Sequence, residues 1–444
     1  MVFRELSAES HFSPDYSRKV RSTVGCEFDA AYLQRGTADF RRASLALFLA
    51  GFVTFDVLYC TQPLLPQFSS EFHQSPATAS LALSLTTATI GIAMLVAGTV
   101  SGVLGRKQVM TVSMVLSALL VILTAMSPSF GALLVLRAIQ GVTLAGIPAV
   151  AMAYLTEEVR RDSLGMAMGL YISGNTIGGM SGRLLTGTVT SFANWRVAMV
   201  LIGVLSLIAS VAFWRTLPAS RHFHARPAEP RYLASQLVYN LRDPGLRHLF
   251  AMGALLMGSF VTLFNYLGYR LMAAPYGLSQ FTTSLVFLAY FAGTFSSAWM
   301  GMLSARFGRR PVMIAGVLIM ACGLSLTMFA SLPVLIAGVI LFTFGFFGSH
   351  SIASSWVGSR APGDSAQAAA LYLLFYYLGS STCGFGGGIA WARFAWPGVA
   401  AFIGTMLLAG IVVAVRLAHI PSKQVFVPEP APLGAARGRA TSAA

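Results

Sequence analysis

Acidic residues are scarce in this chain. Asp and Glu together number 15 among 444 residues, and all charged residues make up only 10%, against about 25% in ordinary soluble domains. So small a charged complement cannot cover a water-facing surface. That excludes an ordinary soluble enzyme and points to a chain embedded in lipid. Cysteine is scarce too. Cys26, Cys60, Cys322 and Cys383 show no paired spacing, which argues against a disulfide framework, a redox motif or a metal site. Residues 1–40 lack a long apolar run, so no cleaved signal segment is expected. No Ser-His-acid arrangement is evident, and the chain is read as a non-enzyme without cofactors.

What is abundant is apolar sequence, at 56%. Twelve runs between residues 43 and 418 are long enough to cross a hydrocarbon core of roughly 30 Å, which takes about 20 residues each. Such spans must be helical, because an open strand edge in lipid leaves backbone groups unsatisfied. The expected fold is therefore all-α, with twelve transmembrane helices. An even count puts both termini on one side, and assigning that side to the cytoplasm explains the net charge of +15. All but five of the 30 Lys and Arg residues then fall in tails and cytoplasmic loops, the five being Arg137, Arg183, Arg196, Arg270 and Arg393. That asymmetry is the positive-inside rule, and it removes nucleic acid as an explanation.

The basic stretch "GVLGRKQVM" at 102–110 returns as "ARFGRRPVM" at 305–313, so that Gly105, Arg106 and Met110 recur as Gly308, Arg309 and Met313. Tyr171, Gly178 and Trp195 return near the same offset as Tyr372, Gly379 and Trp396. A six-span unit has been duplicated in one orientation, an arrangement known among transporters. The expected organisation is an N-terminal tail at 1–40 without order, a six-helix bundle at 41–217 and a second bundle at 248–420. Between the bundles, 218–247 reads as a cytoplasmic linker in which Leu233, Leu237 and Leu241 mark a short amphipathic helix. Residues 421–444, rich in Pro, Ala and Gly, read as a disordered tail.

On these residues the chain resembles the major facilitator superfamily over about 41–420. Gly98, Gly105, Arg106 and Lys107 match the family's loop signature, and Gly301, Arg306, Gly308, Arg309 and Arg310 match it again. The acid of that signature is absent, its places being taken by Gly102 and Ala305; Glu157, Glu158 and Asp162 are the candidates to pair with Arg106 or Lys107 instead. "RAIQGVTLAG" at 137–146 and "GLYISGNTIGGMSGR" at 169–183 resemble the fourth- and fifth-helix motifs. The second of these marks the drug/proton antiporter branch of inner-membrane transport proteins. The resemblance implies a monomeric exporter of small molecules that works by alternating access on the proton gradient. It also implies gating at the two basic loops and a proton-linked arginine at Arg137.

Candidate functional residues follow from cost. A charge at mid-membrane costs roughly 2.5–3.5 kcal/mol on insertion scales and usually serves a purpose. Asp56 is the only acid inside a span and, with Arg137, is the candidate proton-coupling pair. Arg137 has no counterpart in the second half, where the repeat places Leu341. Gly174, Gly178 and Gly182 form a small-residue stripe, expected to pack between the bundles, with Arg183 snorkelling toward the outer surface. Tyr59, Gln62, Gln140 and Asn265 are assigned to a substrate cavity, together with Tyr266, His350, Tyr372 and Tyr376. Phe287, Phe291 and Phe295 form an i+4 aromatic stripe beside it. With one carboxylate and many rings, such a cavity suits amphipathic or weakly cationic cargo through cation–π attraction. Polar metabolites such as sugars, import rather than export, and a non-transporting sensor are the alternatives.

Overall fold

A computed structural model describes residues 32–223, 230–361 and 365–420. Among them every element is helical, apart from one isolated bridge between Leu33 and Val159. In the first half, α1 (Ala38–Tyr59) leads through a 3-10 turn (Gln62–Leu64) into α2 (Leu65–Glu71). Then come α3 (Pro76–Leu104), α4 (Arg106–Ala125), α5 (Phe130–Leu144), α6 (Pro148–Glu158), α7 (Arg161–Phe192) and α8 (Trp195–Thr216). The expected linker helix is present as α9 (Pro230–Arg242), with Leu237 packed against the core and Leu241 exposed. The second half holds α10 (Pro244–Met272), α11 (Gln280–Ser284) and a 3-10 turn (Leu285–Ala289). After them come α12 (Tyr290–Phe307), α13 (Arg309–Leu326), α14 (Leu332–Arg360) and α15 (Ser365–Ala418).

Among the described residues, ten helical stretches are long and apolar enough to cross a membrane, against the twelve spans expected. The last, Ala366–Leu417, has 52 residues. At 1.5 Å per residue that is far longer than one crossing needs, and it breaks at Ala395, whose φ is 47°, just before Pro397. Sharp starts come from side-chain caps: Ser75, Ser129, Asn194 and Asp243 each accept from the backbone N–H three residues on. Pro76 and Pro244 follow two of these caps at the first helical position, where no N–H is missed. Leu116, Ile92, Phe295 and Leu408 are exposed, as a lipid-facing belt requires.

The duplication extends to contacts that sequence offset alone did not reveal. Gly105 and Gly308 both turn the chain with positive φ, 95° and 91°, a region that favours glycine. Arg106 binds Glu157 through two hydrogen bonds of 2.7 and 3.1 Å, while its counterpart Arg309 reaches Ser359. Lys107 donates to the Leu217 carbonyl at 2.6 Å, and Arg310 to the Ile420 carbonyl at 3.2 Å. Each basic loop thus ties the turn to the last helix of its own half. Glu157, one of the three candidate acids, is the partner that Arg106 takes. Because Arg106 and Glu157 are partly exposed, 13% and 31%, a double-mutant cycle on them should return a coupling of about 1 kcal/mol or less; a value well above 2 would mean the pair is desolvated in solution.

Two expectations need correcting. Gly174, Gly178 and Gly182 do not pack between the halves. A β-carbon at Gly174 would meet the Phe48 backbone, at Gly178 the Phe52 backbone and at Gly182 that of Asp56, so the stripe fuses α7 to α1 inside the first half. Gly379 does the same against Ala254 in the second half, between α15 and α10. Residues 32–40, assigned to a tail without order, are also placed. Leu33 N donates to the Glu158 carbonyl at 2.8 Å and Arg160 N to the Leu33 carbonyl at 3.1 Å, and α1 already begins at Ala38. The cause is local: the turn between α6 and α7 leaves backbone groups open, and an extended segment satisfies them. The remainder of that tail, and 421–444, lie outside the described residues.

Candidate functional site

The site begins with a broken helix. Pro63 has no N–H to continue α1, and the chain tightens into the 3-10 turn at Gln62–Leu64. The break leaves the Val57 and Leu58 carbonyls without the N–H groups of a continuing helix, in a fully buried place. Arg137 fills that role from α5. Fully buried, it donates to Val57 O at 3.1 Å, Leu58 O at 2.7 Å and Thr61 Oγ1 at 3.3 Å, and to Ala82 O on α3 at 2.9 Å. Gln140 Oε1 accepts from the same guanidinium, and its Nε2 donates to Ser117 O at 2.9 Å. A cation at a helix C-terminus also meets the negative end of the helix dipole. The matching helix of the second half, α10, runs unbroken from Pro244 to Met272. It has no open carbonyls to cap, which explains why the repeat carries no second arginine.

Asp56 is 1% exposed, and its Oδ1 has no hydrogen-bond partner. It lies under Gly182, whose β-carbon, if present, would stand 2.9 Å from Oδ1. Asp56 therefore faces α7 within the first half. It does not pair with Arg137, and Gln140 lies beside Arg137, deep inside the same bundle.

Arg183 departs furthest from expectation. It does not snorkel outward but is 2% exposed, donating through Nε to Gln62 Oε1 at 2.6 Å and through Nη1 to the Gly179 carbonyl at 2.6 Å. Its guanidinium carbon lies 4.0 Å from the Tyr59 ring centre, 4.8 Å from Tyr290 and 5.2 Å from Phe287, all within cation–π range. Phe287 and Tyr290 come from the second half, so the box spans both. Gln62 Nε2 then donates to Asn265 Oδ1 at 2.8 Å. Further ties between the halves lie nearby: Tyr269 to the Leu65 carbonyl at 2.8 Å, Gln280 to the Pro63 carbonyl at 2.6 Å, and Ser381 to the Ser84 carbonyl at 2.7 Å. The described ties between the halves thus gather around the Gln62–Leu64 turn. A β-carbon at Gly98, near the first basic turn, or at Gly165 and Gly169, in the first turns of α7, would meet nothing within 4 Å.

The aromatic residues sort accordingly. His350 Nδ1 and Tyr372 Oη are 2.8 Å apart, and the His350 ring packs 4.8 Å from Tyr376; these three form one cluster. Tyr266 belongs elsewhere, its hydroxyl donating to the Gly384 carbonyl at 2.5 Å at the α10–α15 seam. The Phe287 stripe splits: Phe287 is buried, while Phe291 and Phe295 are 60% and 64% exposed. The reason is the 3-10 turn at Leu285–Ala289, which has three residues per turn and rotates Phe287 out of phase with the helix that follows. Arg183 and Tyr290 are the residues that sequence reading missed. The only signal was a second unpaired cation in an apolar run, and it was read as an outward-facing one.

Comparison with known proteins gives consistent answers. The sequence model of the Major Facilitator Superfamily matches residues 47–271 and 249–441. The chain is 49% identical over 398 residues to the uncharacterized MFS-type transporter YybF of Bacillus subtilis, covering 90% of this chain and 98% of that protein. It is 48% identical over 386 residues to the inner membrane transport protein YnfM of Escherichia coli, covering 87% and 93%. Among solved structures, the peptide transporter POT in complex with sulfate superposes with a TM-score of 0.71 at 15% identity, covering 88% of this chain and 97% of that one.

Proposed function

The chain belongs to the major facilitator superfamily and is a multi-pass membrane transporter, not an enzyme, and from that premise we propose that it exports small amphipathic molecules across a bacterial inner membrane by proton antiport. In this reading there are twelve spans, with α7 as the fifth and α15 folded at Ala395 into the last two. The basic end faces the cytoplasm, and the described conformation is inward-facing. The observation that carries the reading is the division of labour between fixed and breakable contacts. Within each half, glycine seams at Gly174, Gly178, Gly182 and Gly379 lock helices backbone to backbone; between the halves, one glycine approach, Gly388 against the Ala77 backbone, accompanies ties that are mainly side-chain hydrogen bonds and ring contacts. Rigid halves joined by breakable contacts rock, and alternating access needs no more.

The proton carrier in this reading is Asp56. It and Tyr59 occupy successive turns of α1, one against α7 and the other against Arg183. A proton on Asp56 and a molecule at Tyr59 thus act on the same helix, which is the linkage that coupling needs. Asp56→Asn keeps the shape and removes the titration. It should leave the protein folded and abolish substrate-induced collapse of a pH gradient in everted vesicles, while exchange down a concentration gradient persists. Wild-type proton movement in the variant would transfer the coupling role to another group.

A further inference from the structure

Arg183 is a buried cation with no anion. Among the described residues no carboxylate lies within the 4.0 Å of an ion pair. Asp56, the buried acid of α1, is turned against Gly182. Uncompensated buried charge is costly, and ring faces and carbonyls offset it only in part. From Arg183 a run of rings leads toward the basic end. Tyr290 packs 5.4 Å from Phe347, Phe347 lies 5.2 Å from Phe346, and Phe346 stacks 5.8 Å from His350. His350 and Tyr376 at the far end of the run are partly exposed. This aromatic wall, packed ring on ring, runs from the buried guanidinium to His350 and Tyr376.

We infer that the transported molecule is a small aromatic anion, a planar ring carrying one carboxylate, with Arg183 as its counter-ion; this rests on the transport reading above. The ring lies along the aromatic wall and the carboxylate reaches the box. A cation would meet the guanidinium as a like charge. A sugar would find the nearby amides already used, since Gln62 accepts from Arg183 and donates to Asn265. A carboxylate on Arg183 competes with Gln62 Oε1 for the same N–H groups. Winning that competition frees Gln62 and loosens its tie to Asn265 across the halves, so arrival of the anion weakens the ties around the Gln62–Leu64 turn.

The test uses the purified full-length protein in lipid nanodiscs, with 1-naphthoate and 1-naphthylmethylammonium as matched probes, binding read by calorimetry. Wild type should bind naphthoate at least about 20-fold more tightly than the ammonium probe, the range expected for a charge-assisted contact. Arg183→Gln should lose that preference, and Arg183→Lys should keep its direction with lower affinity. Equal affinities in wild type, or a preference for the ammonium, would overturn the inference without reliance on any variant's folding. Transport of both probes into proteoliposomes separates the two readings. Naphthoate that binds but is not carried leaves the anion site standing and removes the transport reading; carriage of the ammonium in preference does the reverse.

Discussion

Arg137→Lys should leave less than about a tenth of wild-type transport, although the charge is kept. A lysine presents three donors from one point, whereas the guanidinium serves acceptors on both α1 and α3 through three separate nitrogens. At least two buried acceptors would lose their partners, each at about 1–3 kcal/mol. We expect a loss of about 2–6 kcal/mol, visible as a large fall in the thermal midpoint in detergent. The pH profile distinguishes a capping role from a proton-relay role. If Arg137 serves to cap α1, the residual activity of the lysine variant keeps the wild-type pH dependence; a shifted profile would show that Arg137 takes part in proton transfer. Transport within twofold of wild type would refute the capping account altogether.

Gly178→Val is the second large effect. A β-carbon there would come within 2.6 Å of Phe52 Cα, and the obstacle is backbone, which cannot rotate away. Helices α1 and α7 would have to separate, and overpacking of this kind costs about 1–3 kcal/mol or more. Gly379→Val should behave alike, because a β-carbon there would also meet Ala254 Cα at 2.6 Å. Gly98→Ala, with nothing within 4 Å, should have normal expression and stability. Yield after solubilisation and thermal midpoints of the three variants check this. Equal behaviour of Gly178→Val and Gly98→Ala would mean the seam opens in the membrane.

Much of the architecture was legible because lipid leaves few choices. Apolar runs of membrane length and a shared offset near 202 foretell an all-helical chain and the recurrence of its basic turns without any knowledge of packing. The loop cations, and Glu157 as a candidate partner for Arg106, could be read from charge alone. What sequence could not settle was direction. The stripe of Gly174, Gly178 and Gly182 announces a close helix contact but not its partner, which the fold makes α1 rather than the other half. Periodicity put Phe287 in line with Phe291, until a 3-10 turn shifted the phase. Asp56 and Arg137 stood out as the expensive residues of the first half, yet only tertiary structure sends one under Gly182 and the other onto open carbonyls. Arg183 makes the point most sharply. Its sequence shows an arginine after small residues, and a long side chain could equally reach water. Whether it does depends on Phe287 and Tyr290, more than 100 positions away, closing over it. Sequence determined that a charge is present; the packing of the two halves decided what it faces.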